Sequence, residues 1–321
     1  MAYLLGTDEA GYGPNLGPLI VSGSLWQVPD EALQQDLYES LAEAVTDRRS
    51  VGSADSRLPI GDSKRLYQPG GGLGDLERGV FAVLGTTGET PRRWHGLWEL
   101  LSGDSGAPHQ SLPWYDDYSC RLPLEADPDE VSAASHRLGT ALAAAGARFV
   151  ALRSDAVFPA RFNQLTHRLG SKGAALSQIT LRLVAELLSR TGDSCVRITC
   201  DKHGGRSRYA QLLQEMFPET LIEVQGESRA ASVYCWGPRA ARREARFVTG
   251  GERYLPTALA SMVSKYLREL AMRAFNQFWC DRLPGLRPTA GYPADAKRFR
   301  REIAPLQAQL GIDDALFWRE R

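Results

Sequence analysis

Hydrophobic residues in this chain fall into short apolar runs separated by longer stretches with helical spacing. The run Tyr3–Thr7 predicts a short buried strand, and Pro18–Val28 predicts a longer one. Later runs with the same character are Arg148–Arg153, Ser194–Cys200 and Leu221–Val224. These runs predict the strands of a sheet.

Helical periodicity is clearest in two stretches. The apolar residues of Lys172–Arg190 share one stripe, which predicts an amphipathic helix. A longer helix is predicted to begin at Pro256, because proline suits the first turn of a helix, and to run to about Cys280. Shorter helices are predicted at Glu31–Arg48, Val131–Ala145 and Tyr209–Phe217. The alternation of strands and helices predicts an α/β domain.

Composition and charge narrow the class of protein. The 321 residues include 38 lysines and arginines and 38 aspartates and glutamates, so no global basic field indicates a nucleic-acid partner. No apolar run is long enough to span a bilayer, and the first residues lack the basic region of a signal peptide. We therefore expect a cytoplasmic protein without a membrane partner. The five cysteines show no CxxC spacing, which argues against disulfides and structural zinc.

Four carboxylates are candidates for chemistry. Asp8 and Glu9 stand at the end of the first predicted strand, Asp201 ends a second one, and Glu269 lies on the long helix opposite its apolar stripe. Together they could hold two divalent ions about 4 Å apart for phosphodiester hydrolysis. Each also has an ordinary interpretation: an acidic turn, a helix cap at Asp201, and an exposed ion pair between Lys265 and Glu269.

The order of motifs along the chain resembles ribonuclease HII. That family opens with a strand and Asp-Glu-Ala-Gly-Arg-Gly-Pro, continues with Asp-Ser-Lys and a third carboxylate at a strand end, and then has a helix of the pattern Ala-Ser-Ile-x-Ala-Lys-x-x-Arg-Asp and a Gly-Tyr-Gly segment. The matching segments here are Asp8–Pro14, Asp62–Lys64, Asp201, Ala260–Glu269 and Gly291–Pro293. The resemblance covers residues 1–67 and about 148–300.

The resemblance implies a ribonuclease H-like mixed sheet flanked by helices, with insertions at about 68–147 and 225–253 in a catalytic core of residues 1–283. Residues 284–321 would form a C-terminal helical segment that contacts substrate. It implies a monomer that uses two Mg²⁺ or Mn²⁺ ions to cut the RNA strand of RNA–DNA hybrids, or ribonucleotides embedded in duplex DNA. The implied metal ligands are Asp8, Glu9, Asp201 and Glu269.

The resemblance also implies a set of substrate contacts. The glycine-rich turn would place backbone groups on the 2′-hydroxyl, the group that distinguishes RNA from DNA. Two lysines would hold phosphates, and Tyr292 would stack on a sugar. The implied substrate-binding residues are Gly11, Tyr12, Gly13, Lys64, Ser261, Lys265 and Tyr292.

Departures from the family pattern keep other substrates open. Tyr12 replaces the family arginine, and Glu269 replaces the usual aspartate. The alternatives are a diverged nuclease acting on DNA or structured RNA, and an inactive nucleic-acid-binding relative. Arginines at near-helical spacing could compensate at the phosphates or form a solvated helix face: Arg239, Arg242, Arg243 and Arg246. No GxSxG motif, P-loop or dinucleotide fingerprint is present.

Overall fold

A computed structural model describes residues 1–48, 55–67, 72–103, 112–116 and 118–320. Its centre is a mixed seven-stranded sheet with the order β5-β2-β1-β6-β9-β8-β7. The strands are β1 (Ala2–Ala10), β2 (Leu19–Val28), β5 (Arg148–Val157), β6 (Val196–Asp201), β7 (Glu223–Glu227), β8 (Ala231–Trp236) and β9 (Arg243–Val248). A separate pair consists of β3 (Val45–Thr46) and β4 (Leu58–Pro59).

The middle of the sheet determines where a site can form. Strands β1, β6 and β9 run parallel to one another, with Thr7 opposite Cys200 and Asp201 opposite Val248. The other pairings in the sheet are antiparallel. Because parallel strands end at the same edge, the residues that follow β1, β6 and β9 meet there.

Helices cover both faces of the sheet. The described helices are α1 (Leu37–Ser40), α2 (Ser63–Leu66), α3 (Gly74–Gly85), α4 (Trp94–Ser102), α5 (Pro113–Asp116), α6 (Pro128–Ala144), α7 (Pro159–Leu169), α8 (Lys172–Leu188), α9 (Ala210–Met216), α10 (Leu255–Arg282) and α11 (Pro293–Leu310). The predicted mixed sheet flanked by helices is therefore confirmed. None of the described helices is both long and apolar enough to cross a bilayer.

Strand β1 separates the two apolar cores. Leu4 packs into the core shared with α10, α3, α4 and α6, while Leu5 packs into the core shared with α7, α8 and α9. This alternation is the period of two expected for a strand covered on both faces. Helix α10 lies so close to β1 that a Cβ at Gly6 would collide with the backbone nitrogen of Thr257. The long helix is thereby fixed against the central strand.

The segment predicted as a helix at Glu31–Arg48 is different in the structure. A 3₁₀ helix at Asp30–Gln34 is followed by the single-turn helix α1 and by β3. Gln35 is extended, and the Asp36 side chain then accepts a hydrogen bond from the backbone N–H of Tyr38, which starts a new turn. The helical prediction was wrong because this local capping interrupts the apolar periodicity.

The stretch 225–253 is an integral part of the sheet. It contains β8 and β9, and β9 lies between β6 and β8. The near-helical spacing of the arginines was misleading: Arg239 is in a 3₁₀ turn, and Arg243 and Arg246 belong to a strand whose Ala245 and Phe247 are buried. Strand alternation explains this pattern better than a helix face.

The stretch 68–147 packs onto the same core. Its aromatic cluster is buried, with Trp114 against Phe275 of α10 at a ring-centroid distance of 5.2 Å and Trp98 stacked near Phe158 at 6.1 Å. The sequence also predicts a glycine-rich loop at Pro69–Gly74, and part of this loop lies outside the described residues.

The C-terminal segment folds back onto the turn that follows β1. Phe299 of α11 and Phe317 are fully buried beside Phe275. The backbone N–H of Arg319 donates to the carbonyl of Asn15 at 2.7 Å, and the Asn15 side chain donates back to the carbonyl of Arg319 at 2.8 Å. The end of the chain therefore supports the segment from Gly11 to Pro18.

Candidate active site

Asp8 and Glu9 occupy the end of β1, where α10 crosses the strand. Asp8 is buried, and its side chain has a hydrogen bond with Ser261 of α10. Its backbone carbonyl accepts a hydrogen bond from the Ser264 hydroxyl at 3.0 Å. Glu9, one residue later in the strand, is partly exposed. The helix thus holds Asp8 by both its side chain and its backbone.

Asp201 ends β6, the parallel neighbour of β1. One oxygen of its carboxylate accepts a hydrogen bond from the backbone N–H of Gly251 at 3.0 Å. This bond fixes the short 3₁₀ turn Gly251–Arg253, which follows β9 and directly precedes α10. The turn brings Glu252 to the same edge as Asp8, Glu9 and Asp201.

The acids at this edge raise the pKa values of Asp8 and Glu9. Burial raises the pKa of Asp8 well above its usual value, and the charges of Glu9, Glu252 and Asp201 raise it further. Burial, with Asp201 and Glu252 nearby, raises the pKa of Glu9 to about 7, although Lys64 opposes the shift. The edge therefore carries more negative charge than its surroundings balance, which a bound cation would relieve.

Lys64 is the cation that lowers the pKa of Glu9. Its ammonium lies 3.6 Å from a Glu252 oxygen, and its side chain is 82% exposed. Partial burial lowers the pKa of Lys64, but Glu252, Asp62, Asp8 and Asp201 outweigh it, so the pKa is raised overall. The Ser63 and Ser261 hydroxyls, 3.0 Å apart, connect α2 to α10. Lys64 is therefore an exposed charged side chain beside the acidic edge, the group formed by Asp8, Glu9, Asp201 and Glu252.

Glu269 belongs to a different polar group. One of its oxygens accepts from the Lys265 ammonium at 2.6 Å, and the other accepts from the Tyr67 hydroxyl at 3.0 Å. Lys265 also lies over the Tyr67 ring, 4.5 Å from its centroid. Glu269 is not among the carboxylates that principally shift the pKa of Asp8, Glu9 or Lys64. The structure thus brings three of the four predicted ligands together, and Glu252 joins them where Glu269 was expected.

Glu252 was missed because its segment was interpreted as an insertion. The sequence carries only a partial signal: Gly250-Gly251-Glu252 lies between the alternating segment Arg243–Val248 and the longest helix, which indicates a turn but not its position at the sheet edge. In α/β sheets, ligands bind beyond the carboxyl ends of parallel strands, which is where this turn lies.

The turn after Glu9 has a conformation that only glycine adopts easily. Gly11 has φ +90°, and a Cβ there would lie 2.7 Å from the Pro18 carbonyl oxygen and 2.8 Å from the Arg268 side chain. Gly13 lies close to Tyr292, which is 59% exposed at the start of α11. Tyr12 is partly buried, and burial followed by the charge of Glu9 raises its pKa, although Arg206 opposes the shift.

Two buried arginines donate hydrogen bonds to the backbone carbonyls of this turn. The Arg268 guanidinium donates to the carbonyls of Pro18 at 2.6 Å and Leu16 at 3.1 Å. The Arg319 guanidinium donates to the carbonyl of Gly11 at 2.6 Å and to that of Pro14. Neither arginine forms an ion pair within the described ranges. The carbonyls of the turn are therefore directed inward.

The arginines at near-helical spacing, which the sequence allowed either as phosphate contacts or as a solvated face, lie away from the acids. Arg243 pairs with Val196 at the start of β6, about 17 Å along the strand from Asp201. Its guanidinium donates to the carbonyl of Gly192 at 2.6 Å. Arg242 forms an ion pair with Glu223, and Arg246 pairs with Glu244 at 2.6 Å. The interpretation of this run as a solvated helix face is wrong in its helical part, because Arg243 and Arg246 lie on β9.

His203 follows Asp201 closely but faces the core. Its Nδ1 lies 3.0 Å from the Ser177 hydroxyl, and its ring packs against Tyr209 and Phe247. Burial, with a smaller contribution from Arg206, lowers its pKa to about 3. The imidazole is neutral at physiological pH, so it does not carry protons for the acidic edge.

The donor set at the edge suits hard divalent cations. Mg²⁺ and Mn²⁺ prefer carboxylate oxygens, and the edge supplies carboxylates from β1, β6 and the turn before α10. In the part of the chain that the structure describes, no three histidine, cysteine, aspartate or glutamate side chains already form a coordination group. Asp201 instead directs one oxygen to Gly251. The residues fit such an ion by their chemistry and by their position at one edge of the sheet.

Comparisons with known proteins found similarity in structure and not in sequence. The sequence matches no protein-family model and no curated protein. In structure, the chain is similar to RNase HII from Archaeoglobus fulgidus, solved in a complex with PCNA, with 15% identity, TM-score 0.45 and coverage of 99% of this chain and 94% of that one. Ribonuclease H2 from Pyrococcus horikoshii OT3 gives 14% identity, TM-score 0.44 and coverage of 98% and 92%.

A third similar structure is Bst-RNase HIII in complex with Mn²⁺, with 11% identity, TM-score 0.41 and coverage of 99% of this chain and 66% of that one. These three structures are described as RNase HII, ribonuclease H2 and RNase HIII.

Proposed function

We propose that this protein is a metal-dependent nuclease that hydrolyses the RNA strand of RNA–DNA hybrids, or ribonucleotides embedded in duplex DNA. The observation that carries the proposal is the group of carboxylates at one sheet edge: Asp8, Glu9, Asp201 and Glu252. Burial and mutual repulsion raise the pKa values of Asp8 and Glu9. Such unbalanced acids are costly to keep in a folded protein unless a cation binds them.

The group fits two divalent ions as ligands. When bound, two such ions supply a nucleophilic water and stabilise the charge that develops on the leaving oxygen of a phosphodiester. We assign the binding of these ions to Asp8, Glu9, Asp201 and Glu252. Ser261 orients Asp8 through its hydrogen bond, and Gly251 orients Asp201.

Residues around the acids would bind the nucleic acid. Lys64, exposed beside Glu252, would hold a phosphate next to the scissile bond. The backbone at Gly11 and Gly13, with Tyr12 beside them, would contact the 2′-hydroxyl, and exposed Tyr292 would stack on a sugar. Lys265 and Tyr67, linked through Glu269, would contact the strand further along α10.

Tyr12 favours a second candidate, a nuclease of the same mechanism acting on DNA or structured RNA. An arginine in this turn would provide a charged fork for a phosphate, whereas tyrosine provides one hydroxyl. In this chain the Tyr12 hydroxyl lies near Gly173 and Gly204 and interacts with Arg206. A change of residue at the turn can therefore change the preferred substrate while leaving the acidic edge intact.

A cleavage assay with four duplexes separates these functions. Each duplex is incubated with the protein and Mg²⁺ or Mn²⁺: an RNA–DNA hybrid, a DNA duplex with one ribonucleotide, an RNA duplex and a DNA duplex. We expect cleavage of the first two only. Cleavage of the DNA or RNA duplex alone would favour the second candidate.

The matched control for this assay is Asp201→Asn, which keeps the shape of the side chain and removes its charge. We expect it to abolish cleavage while the protein remains folded. Absence of cleavage of all four duplexes by the wild-type protein with either metal would refute the nuclease proposal. Full activity of the Asn variant would refute the assignment of Asp201 as a ligand.

A further inference from the structure

A groove on the α3–α6 side of the molecule contains none of the residues assigned to the nuclease site. It has a volume of about 650 Å³ and is lined by residues of α3, α6 and the segments around 86–92 and 122–123. Its apolar surface includes Phe81, Leu122 and Val131, and hydroxyls come from Ser135 and Thr140. This volume and mixture of surfaces are typical of small-molecule sites.

Arginines extend the groove at one end. A second cavity of about 440 Å³ shares Arg92 and Leu122 with the groove and adds Arg93 and Arg121 to its lining. The backbone holds these residues together, because Leu122 N–H donates to the Arg92 carbonyl at 3.0 Å and Arg93 forms an antiparallel bridge with Arg121. An apolar surface and a cluster of cationic side chains therefore adjoin one another.

The charge of this cluster is not balanced locally. Arg92, Arg93 and Arg121 are exposed, and none has an ion pair with a carboxylate of the described residues. Glu89 is the acidic residue in the lining of the groove. Guanidinium groups suit bidentate contacts with carboxylates and phosphates. The arginine end of the groove is thus complementary to an anionic group.

Gly139 keeps the groove open. It lies inside α6 and lines the groove, and a Cβ at this position would meet nothing within 4 Å. Glycine is unfavourable inside a helix compared with alanine, and packing does not require it here. The absence of a side chain at Gly139 leaves space that a ligand can fill.

We propose that this groove is a binding site for a small amphipathic anion. Its apolar or aromatic body would rest against Phe81, Leu122 and Val131, and its phosphate or carboxylate would bind Arg92 and Arg121. Both a nucleoside monophosphate and a medium-chain fatty acid have this chemistry. The site is independent of the nuclease function proposed above, since it shares no residue with the acidic edge.

The shape of the site is tested by filling it. The full-length protein is titrated with the fluorescent anion 1-anilinonaphthalene-8-sulfonate, which has an aromatic body and a sulfonate. We expect Gly139→Leu to weaken binding by at least about tenfold and Gly96→Leu to leave it within about twofold. Gly96 is a matched control because it also lies inside a helix with open space around it. Equal affinities in the two variants, or no binding to the wild type, would overturn the proposal.

The charge and the class of ligand are tested in the same assay. We expect the double variant Arg92→Ala/Arg121→Ala to weaken binding by about tenfold or more, because charge-assisted contacts are lost. The exposed pair Arg229→Ala/Arg301→Ala is the control. Displacement of the probe by adenosine monophosphate would assign a nucleotide, and displacement by decanoate would assign a fatty acid. Displacement by neither, or equal weakening in both double variants, would overturn the proposal.

Discussion

At the scale of single residues, Glu9 connects the site to the pH dependence of stability. Burial and the charges of Asp201 and Glu252 raise its pKa from 4.5 to about 7 in the folded protein. Because the pKa of Glu9 is higher in the folded protein than in the unfolded chain, protonation of Glu9 favours folding. This contribution to stability is complete below the unfolded-state pKa of 4.5 and is lost as pH rises through 7. In the presence of a metal chelator, we expect the free energy of unfolding to fall by about 2 kcal/mol between about pH 5.5 and 8.

Urea denaturation at several pH values measures this effect. Glu9→Gln should flatten the profile because the amide does not titrate, and Mg²⁺ should restore stability to the wild type at the alkaline end. Asp8 acts in the same direction, since its pKa is also raised. A profile with the same slope in Glu9→Gln as in the wild type would contradict the role of Glu9.

Glu252 and Glu269 offer a second test at this scale. Glu252 acts on the pKa values of Asp8, Glu9 and Lys64, whereas Glu269 is bound to Lys265 and Tyr67. We expect Glu252→Gln to lower kcat by a factor on the order of 100 or more, as for loss of a metal ligand, and Glu269→Gln to keep it within about tenfold. The two substitutions are chemically identical, so each is the control of the other.

Single-turnover cleavage of the hybrid duplex measures both variants, with the metal concentration varied. Glu252→Gln should also require more Mg²⁺ for half-maximal rate. A lower cleavage rate in Glu269→Gln than in Glu252→Gln would indicate that Glu269, and not Glu252, is a metal ligand.

The positions of acids that end a strand could be predicted from the sequence, whereas the position of an acid in a turn could not. Asp8-Glu9 and Asp201 follow apolar runs, so their common sheet edge could be predicted. Glu252 reaches that edge only because β9 pairs with β6 and the Asp201 carboxylate binds Gly251. Those are long-range contacts, and the arginines of β9 mimicked helical spacing. Glu269 was selected because it ends a motif, although its neighbour four residues earlier already neutralises it.

At the scale of elements, the C-terminal segment stabilises the turn that follows Glu9 through the side chain of Arg319. The guanidinium is fully buried, donates to the carbonyls of Gly11 and Pro14, and lies 4.9 Å from the centroid of the Phe162 ring. Its Nε and Nη1 have no hydrogen-bond partner among the described residues. Burial, and then the charge of Arg268, lowers the pKa of Arg319 well below its usual value. The contact between the C-terminal segment and the turn that follows Glu9 therefore depends on a buried charge, which is costly to bury.

We expect Arg319→Ala to destabilise the protein by about 2–4 kcal/mol, because two buried carbonyls lose their donor and the aromatic contact is lost. Cleavage should decrease as well, since the turn from Gly11 to Pro14 would lose its support. Arg301→Ala, an exposed change in α11, is the control and should have an effect within about 0.5 kcal/mol. Equal denaturation midpoints in the two variants would show that the C-terminal segment contributes no stability through this residue.

At the scale of the whole molecule, the chain has zero net charge but gathers several acids at one edge of the sheet. The sheet separates opposite charges by position: acids gather at the carboxyl ends of β1, β6 and β9, and Arg243 lies at the opposite end of β9. The periodicity of the sequence could predict the layers, because strands and helices alternate. The strand order places β8 and β9 within the sheet, and nothing local in their sequence distinguishes that arrangement from an added segment.

The salt dependence of duplex binding depends on this distribution. Each lysine that neutralises a phosphate releases counterions, so its loss lowers the slope of log affinity against log salt by about 1. Lys64 is highly exposed and lies 3.6 Å from Glu252, whereas the less exposed Arg242 and Arg246 form closer ion pairs with Glu223 and Glu244. In an Asp201→Asn background, which we expect to bind the duplex without cutting it, Lys64→Ala should lower the slope by about 1 and Arg242→Ala/Arg246→Ala should leave it unchanged. An altered slope in the arginine variant would instead mean that the duplex reaches the far end of β9, and that its arginines exchange their carboxylate partners for phosphates.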